Sequence, residues 1–385
     1  MQNPSSGGAI ARYVRGAFWN GCTMRGHVDP QGCVFSYFSP ESRVPATHPP
    51  RSIKAYADAA LKSMSADFDT LYATTGRPSI PPERLLKSSL LIALHSIRSD
   101  RMFCEMLDYS LLFRWFLDMS LEEPGLDQSN FSRLRERLVE QDTARRFFDK
   151  VVKQAREKGL LSDEHFTVDG TLIEAWASTA KSLRPKGGPP DAGGPDDQGM
   201  VNFRGERRSN ASHESATDAE AKLYRKGKGR EAKLYYGADA LMENRNGLCV
   251  DIRARSVLQT ETEGAKTLLK RQRRKGVRPA TLGADKGYHG KDFVAHLRSK
   301  KIAPHIAQIE GRRTPGLDAR TTRHAGYQVS QRKRKRIEEI FGWIKHYGGL
   351  RRTLARGLKR VQLHTYLVAT AYNLLRLARL VPATG

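Results

Sequence analysis

The sequence predicts an α/β protein: a mixed sheet flanked by helices, with an all-helical domain ahead of it and a flexible insertion within it. Three observations carry that expectation. From about residue 161 onward, short β-rich runs alternate with segments of helical period, the pattern of a layered α/β fold. Ahead of them, from about Ile53 to Gly159, apolar residues recur at helical spacing. From about Arg184 to Gly229 the chain turns dense in Gly, Pro, Asp and Ser, too long and too polar for an ordinary connection. The expected division is an irregular segment over 1–50, a helical domain over 51–160, an α/β domain over 161–183 and 231–385, and the insertion over 184–230.

Residues 1 to about 50 are rich in Gly, Pro and Ser without sustained period, and Met24 offers an alternative start inside them. The helical region is interrupted by the turn around Pro78 to Pro82. Beyond it Leu85, Leu86, Ser89, Leu90 and Ala93 keep helical spacing, and Phe113, Trp115, Phe116 and Leu117 supply bulk for a small core. Leu126 to Arg137 opens with capping residues and runs on as an Arg-bearing helix. Its first turns carry Gln128, Asn130 and Arg133, a set suited either to reading base edges in a major groove or to an ordinary surface helix.

His165 to Ile173 reads as a strand with Asp169 in its middle, and Lys233–Ala240 and Gly247–Ala254 as a hairpin turned at Asn244 to Gly247. A helix over Glu263–Lys275, a strand over Pro279–Asp285, a helix over Gly290–Lys301 and a short strand over Ile302–Ile306 follow. A long helix from about Leu358 to Leu380 offers Val361, Tyr366, Leu367, Val368, Leu374 and Leu375 for packing on the sheet.

The net charge of +25 and pI near 10.1 are extreme for an enzyme of small molecules and favour a polyanionic partner, nucleic acid above all. The charge is concentrated: Gln331 to Arg360 holds 11 Lys or Arg against two Glu. Cys22, Cys33, Cys104 and Cys249 lie far apart without zinc-site spacing and read as inert thiols of a reducing compartment. No apolar run of about eighteen residues and no signal-peptide order is found, which points to the cytoplasm and to no membrane partner.

Within the basic stretch, Gln331 to Tyr347 reads as one amphipathic helix whose Ile337, Ile340, Phe341 and Ile344 make the buried stripe. Arg334, Glu338 and Lys345 fall along one flank of that stripe, while Glu339 points away toward water. Alone, the flank reads equally as a structural ion-pair ladder. Two further acids end apolar strands: Asp169 after Phe166-Thr167-Val168, and Asp285 after Thr281 to Ala284. Each alone reads as a turn-forming Asp. Taken with Glu338, they form a set of three carboxylates able to hold two divalent cations about 3.5–4 Å apart. Oxygen ligands without Cys or His suit Mg²⁺, with Mn²⁺ as a substitute. Arg334 and Lys345 would then fix a phosphate backbone beside the cations, with Arg351 and Arg352 adding charge just beyond.

These residues resemble the three acidic blocks of bacterial insertion-sequence transposases of the DDE type. Asp169 stands in Val-Asp-Gly-Thr, Asp285 in Ala-Asp-Lys-Gly-Tyr, and Arg334, Glu338 and Lys345 in Arg-Lys-Arg-Ile-Glu-Glu-Ile-Phe-Gly-Trp-Ile-Lys. The group usually called IS-five is the more similar one, over roughly Pro78 to Leu380. The resemblance implies a ribonuclease-H-like catalytic core and metal-dependent cleavage at element ends, with strand transfer into target DNA. It also implies that the helical domain recognises terminal inverted repeats and that a homodimer forms a synaptic complex. The broader signature has Tyr three positions before its Arg; here that position is Gln331. A catalytically inactive DNA-binding derivative and a standalone nuclease with the same core compete with this reading.

Overall fold

Eight helices precede the sheet in the computed structural model, which describes residues 39–69, 79–140, 142–176, 183–187, 209–227, 232–309 and 316–381. They are α1 (Pro40–Arg43), α2 (Pro49–Lys62), α3 (Ser65–Asp69), α4 (Pro82–Leu94), α5 (Asp100–Tyr109), α6 (Leu111–Phe116), α7 (Gln128–Glu140) and α8 (Thr143–Glu157). Their starts follow from local chemistry. Prolines open α2 and α4, where a missing N–H costs nothing. The Ser99 hydroxyl accepts the Met102 N–H at the head of α5, and the Asp127 carboxylate accepts the Asn130 N–H at the head of α7. Phe103, Phe113 and Phe131 pack ring to ring at the centre of this layer. Residues 1–38, Met24, Cys22 and Cys33 among them, lie outside the described residues, as do 188–208 and 228–230 of the expected insertion.

The sheet comprises β1 (His165–Ala175), β4 (Lys222–Arg225), β5 (Ala232–Glu243), β6 (Leu248–Ser256), β7 (Thr281–Ala284), β8 (Ala303–Ile306) and β9 (Arg352–Thr353). The remaining pair, β2 (Leu183–Pro185) and β3 (His213–Ser215), makes a separate two-stranded ribbon. Within the expected insertion, then, the described residues form β3 and β4 and part of β2. The central order is β6–β5–β1–β7–β8, antiparallel through β1 and parallel from β1 onward. This is the ribonuclease-H-like arrangement. β7 pairs with β1 only at His165 to Thr167, and β9 takes up the same edge only at Glu174 and Ala175. Asp169 therefore sits where the edge of β1 is open.

Side-chain alternation along β1 divides the core in two. Phe166 and Val168 join Leu241, Val250, Leu268, Leu282 and Phe293 beneath α9 (Glu261–Arg274) and α10 (Lys291–Ser299). Ile173 and Ala175 join the larger cluster that contains the helical layer and α14 (Leu358–Leu380). α14 packs against β6 and also against α2, α4 and α8, so the expected sheet-packing helix also anchors the helical layer.

One element departs from expectation. Between α11 (Ala319–Arg323) and β9, the basic stretch forms two helices, α12 (Ala325–Lys333) and α13 (Ile337–His346), joined by a 3₁₀ turn at Arg334–Arg336. The two halves are tied to different neighbours. Tyr327 Oη and Gln331 Nε2 donate to the carbonyls of Ile306 and His305 on β8, whereas α13 buries Ile337, Ile340, Phe341 and Ile344 in the larger core. Arg336 Nη1 also donates to the carbonyls of Asn244 and Arg245. The turn falls within a run of five consecutive cations, Arg332 to Arg336.

Candidate active site

Asp169 and Asp285 are neighbours because β1 and β7 run parallel and adjacent, one past its pairing and the other at its end. The Asp169 carboxylate accepts the Gly170 N–H at 2.8 Å, and that of Asp285 accepts the Lys286 N–H at 2.6 Å. Arg334 Nη1 lies 3.8 Å from Asp285 Oδ1, and its Nε donates to Gln331 Oε1. Arg334 approaches β7 closely at Gly283, where a Cβ would stand 3.3 Å from the arginine stem.

Burial pushes the Asp169 carboxyl up to about 7. The Gly170 N–H opposes the rise, the charges of Glu261 and Asp285 reinforce it, and Arg334 opposes it in turn. Glu261 was not anticipated from sequence. It is the first residue of α9, and a Cβ on Gly170 would lie 2.8 Å from its Oε1. The sequence signal was present in the Thr260–Glu263 capping box, which marks where α9 begins, but only the strand order brings that helix end to β1.

Glu338 lies in the first turn of α13 and is exposed. Glu339, expected to face water, is exposed and pairs with Arg376 of α14 at 3.3 Å. Lys345 lines a cavity of about 520 Å³ with Lys226, Lys233, Arg351, His346, Tyr235, Leu172 and Glu174. Burial, then the charges of Lys226 and Arg351, hold the Lys345 ammonium below its ordinary range, with Asp169 pulling the other way. Lys345 thus belongs to this cationic cavity and also feels the charge of Asp169. Lys226 and Lys233 escaped the sequence reading because the first lies within the expected insertion and the second just beyond it. Arg352 is engaged elsewhere: its Nε lies 3.7 Å from Glu174, and its guanidinium covers the Trp176 ring at 4.5 Å.

Gln128, Asn130 and Arg133 are exposed on α7, opposite the buried Phe131, Leu134 and Leu138. Arg133 Nη2 donates to Asn130 Oδ1 at 2.8 Å.

The donors near Asp169 are all carboxylates, which suits a hard divalent cation in kind. They are not closed around one point: among the described residues no three His, Cys, Asp or Glu side chains stand close enough to hold a metal ion. Cys104 and Cys249 are buried, and burial raises both thiols, in keeping with inert roles. Among the described residues no helix is long and apolar enough to cross a membrane.

Two family models match the chain. Residues 38–137 match the Transposase domain (DUF772), and residues 162–374 match the Transposase DDE domain. No curated protein matches. Among solved structures, the chain is similar to one described as the cryo-EM structure of a piggyBac transposase synaptic complex with hairpin DNA. The identity is 9%, with 85% of this chain and 74% of that chain covered and a TM-score of 0.38, too loose a likeness to carry residue roles.

Proposed function

The chain belongs to the Transposase DDE domain family, matched across more than half its length at 162–374, and from that premise we propose how it acts as a DNA transposase. Asp169, Asp285 and Glu338 hold the divalent metal on which this family's chemistry depends; we assign it as two Mg²⁺ ions, replaceable by Mn²⁺. When bound, the metal supplies activation of an attacking oxygen and stabilisation of the leaving one. The chain's own residues do the positioning. Arg334 steadies Asp285, Lys345 and Arg351 balance phosphate charge beside the carboxylates, and Arg352, held over Trp176 and beside Glu174, adds positive charge for the DNA backbone.

The observation that carries this reading is the pairing of Asp169 and Asp285 at the open edge of β1, flanked by a cationic cavity. Cleavage at insertion-sequence ends, transfer of the 3′-hydroxyl into target DNA, and recognition of terminal inverted repeats through Gln128, Asn130 and Arg133 complete the proposal. So do the division into a helical DNA-binding domain over 51–160 and a catalytic domain over 161–183 and 231–385, a homodimer on synapsed ends, and a cytoplasmic location. The test is cleavage of duplexes carrying the flanking inverted repeats by purified protein with Mg²⁺. Nicked and joined products are expected from the wild type. Asp285→Ala and Asp169→Asn should lose both products while retaining DNA in a mobility shift. Equal cleavage by the wild type and these variants refutes the assignment, and cut but never joined DNA reduces it to a nuclease.

A further inference from the structure

We infer that Gln331 is a positioning residue of the active site: its side-chain amide ties Arg334 to β8 and so holds the arginine beside Asp285. This rests on the reading of Asp285 as a site residue given above. It also assigns a task to the position where this chain carries Gln and the broader signature has Tyr. The amide is engaged at both ends. Its Nε2 donates to the His305 carbonyl of β8 at 2.8 Å, and its Oε1 accepts from Arg334 Nε at 3.0 Å. Arg334 Nη1 then lies 3.8 Å from Asp285 Oδ1. His305 stands opposite Gly283 in the parallel pairing of β7 and β8, and Gly283 is two residues before Asp285. The anchor and the carboxylate therefore belong to adjoining strands of one sheet.

Arg334 needs such a tether. It stands at the centre of five consecutive cations, of which Arg332, Lys333 and Lys335 are exposed and Arg336 is bonded to the carbonyls of Asn244 and Arg245. A long side chain left unheld there keeps its rotamer freedom and turns to water. The ion pair with Asp285 is too weak to prevent this, being 3.8 Å long with its partners 25% and 48% exposed. Among the described residues, Gln331 gives the Arg334 side chain its only hydrogen bond. The two residues are three apart across the junction of α12 and the 3₁₀ turn, which sets them on one face. The anchor itself is firm: Tyr327 Oη donates to the Ile306 carbonyl at 2.8 Å, and Ser330 is buried against the same strand layer. A primary amide offers a donor and an acceptor on one short stem, so it can hold a carbonyl and a guanidinium at once.

The test is the cleavage rate of the full chain on duplexes carrying the flanking inverted repeats, at saturating DNA with Mg²⁺, set beside DNA affinity in a mobility shift. Gln331→Met keeps the bulk of the side chain and removes both bonds. It should lower the rate by roughly tenfold to a hundredfold, the scale of a group displaced by about an ångström, with affinity nearly unchanged. Arg334→Lys should also be slow, and adding Gln331→Met to it should cost little more, since residues that act through one another are not additive. Tyr327→Phe removes the other bond from α12 to β8; it should lower the unfolding midpoint and leave the rate close to that of the wild type. A wild-type rate in Gln331→Met, an equal loss of rate in Tyr327→Phe, or losses that multiply in the double variant each overturn the role of Gln331 and leave the proposed function standing. Absence of cleavage by the wild type removes the proposed function, and this role with it.

Discussion

Replacing Arg255 by Met strips the only hydrogen-bonding partner that the Asp239 carboxylate has among the described residues. Asp239 is 0% and Arg255 3% exposed, and Arg255 Nε sits 2.9 and 2.8 Å from the two carboxylate oxygens. The arginine also donates through Nη1 to the carbonyls of Ser256 and Gln259, so it ties the end of β6 to the start of α9. Removing one partner of such a buried pair costs about 3–5 kcal/mol, because the remaining charge has no water to return to. The double variant Asp239→Ala with Arg255→Met should therefore lose less than Arg255→Met alone.

The same pair makes the loss depend on pH. Even with Arg255 present, burial holds the Asp239 carboxyl up at about 6, against 3.8 for an ordinary Asp, while the arginine's charge and hydrogen bond pull it down. An acid raised in the fold binds protons the unfolded chain has released, so stability falls as pH rises from about 3.8 through about 6. Without the arginine that window moves upward. The penalty of Arg255→Met should be largest at pH 8 and shrink toward pH 5, as read by urea unfolding at both. A loss under about 1 kcal/mol at pH 8, or one equal at the two pH values, refutes the account of the pair.

Gly264→Ala would place a Cβ 1.8 Å from Asp239 Oδ2, so it should cost about 1–3 kcal/mol by overpacking, measured as a lowered unfolding midpoint. Lys345→Ala and Arg351→Ala should each reduce by about 1 the slope of log affinity for DNA against log salt, with unfolding unchanged; an unaltered slope takes the cavity out of the DNA path. Burial, then the charge of His305, holds the His165 imidazole down at about 4 against 6.5. The unfolded chain takes that proton first, so this stability is complete above pH 6.5 and drains away as pH falls toward about 4. His165→Asn should flatten that acid arm, and an unchanged acid arm contradicts the assignment.

Much of the architecture was legible because its signals are local. The β5–β6 hairpin turns at Asn244 to Gly247 as the turn residues require, and α14 spans the stretch its apolar period marked. The stripe of Ile337, Ile340, Phe341 and Ile344 is buried as its spacing demanded. What sequence could not show depends on contacts between distant segments. Periodicity ran α12 and α13 together because it carries no trace of the bonds from Tyr327 and Gln331 to β8. Glu261 was invisible as a site residue since nothing in Thr-Glu-Thr-Glu tells which strand its helix will cross. Asp239 and Arg255 sit in strands whose apolar character hid a paired interior charge. The basic cavity mixes residues from both sides of the insertion with residues of the helix α13, a convergence no window of sequence contains.

The placement of α14 bears on how the chain acquires its shape. The helices α2, α4 and α8 are synthesised first, yet each rests on a 23-residue helix that leaves the ribosome after every strand of the sheet. Thr365, Thr370 and Asn373 within it are fully or almost fully buried, and Asn373 exchanges side-chain bonds with the Cys249 backbone of β6. The early helices must therefore wait, partly uncovered, until this late segment seats itself between them and β6, which delays a competent DNA-cutting protein until translation has passed Leu380.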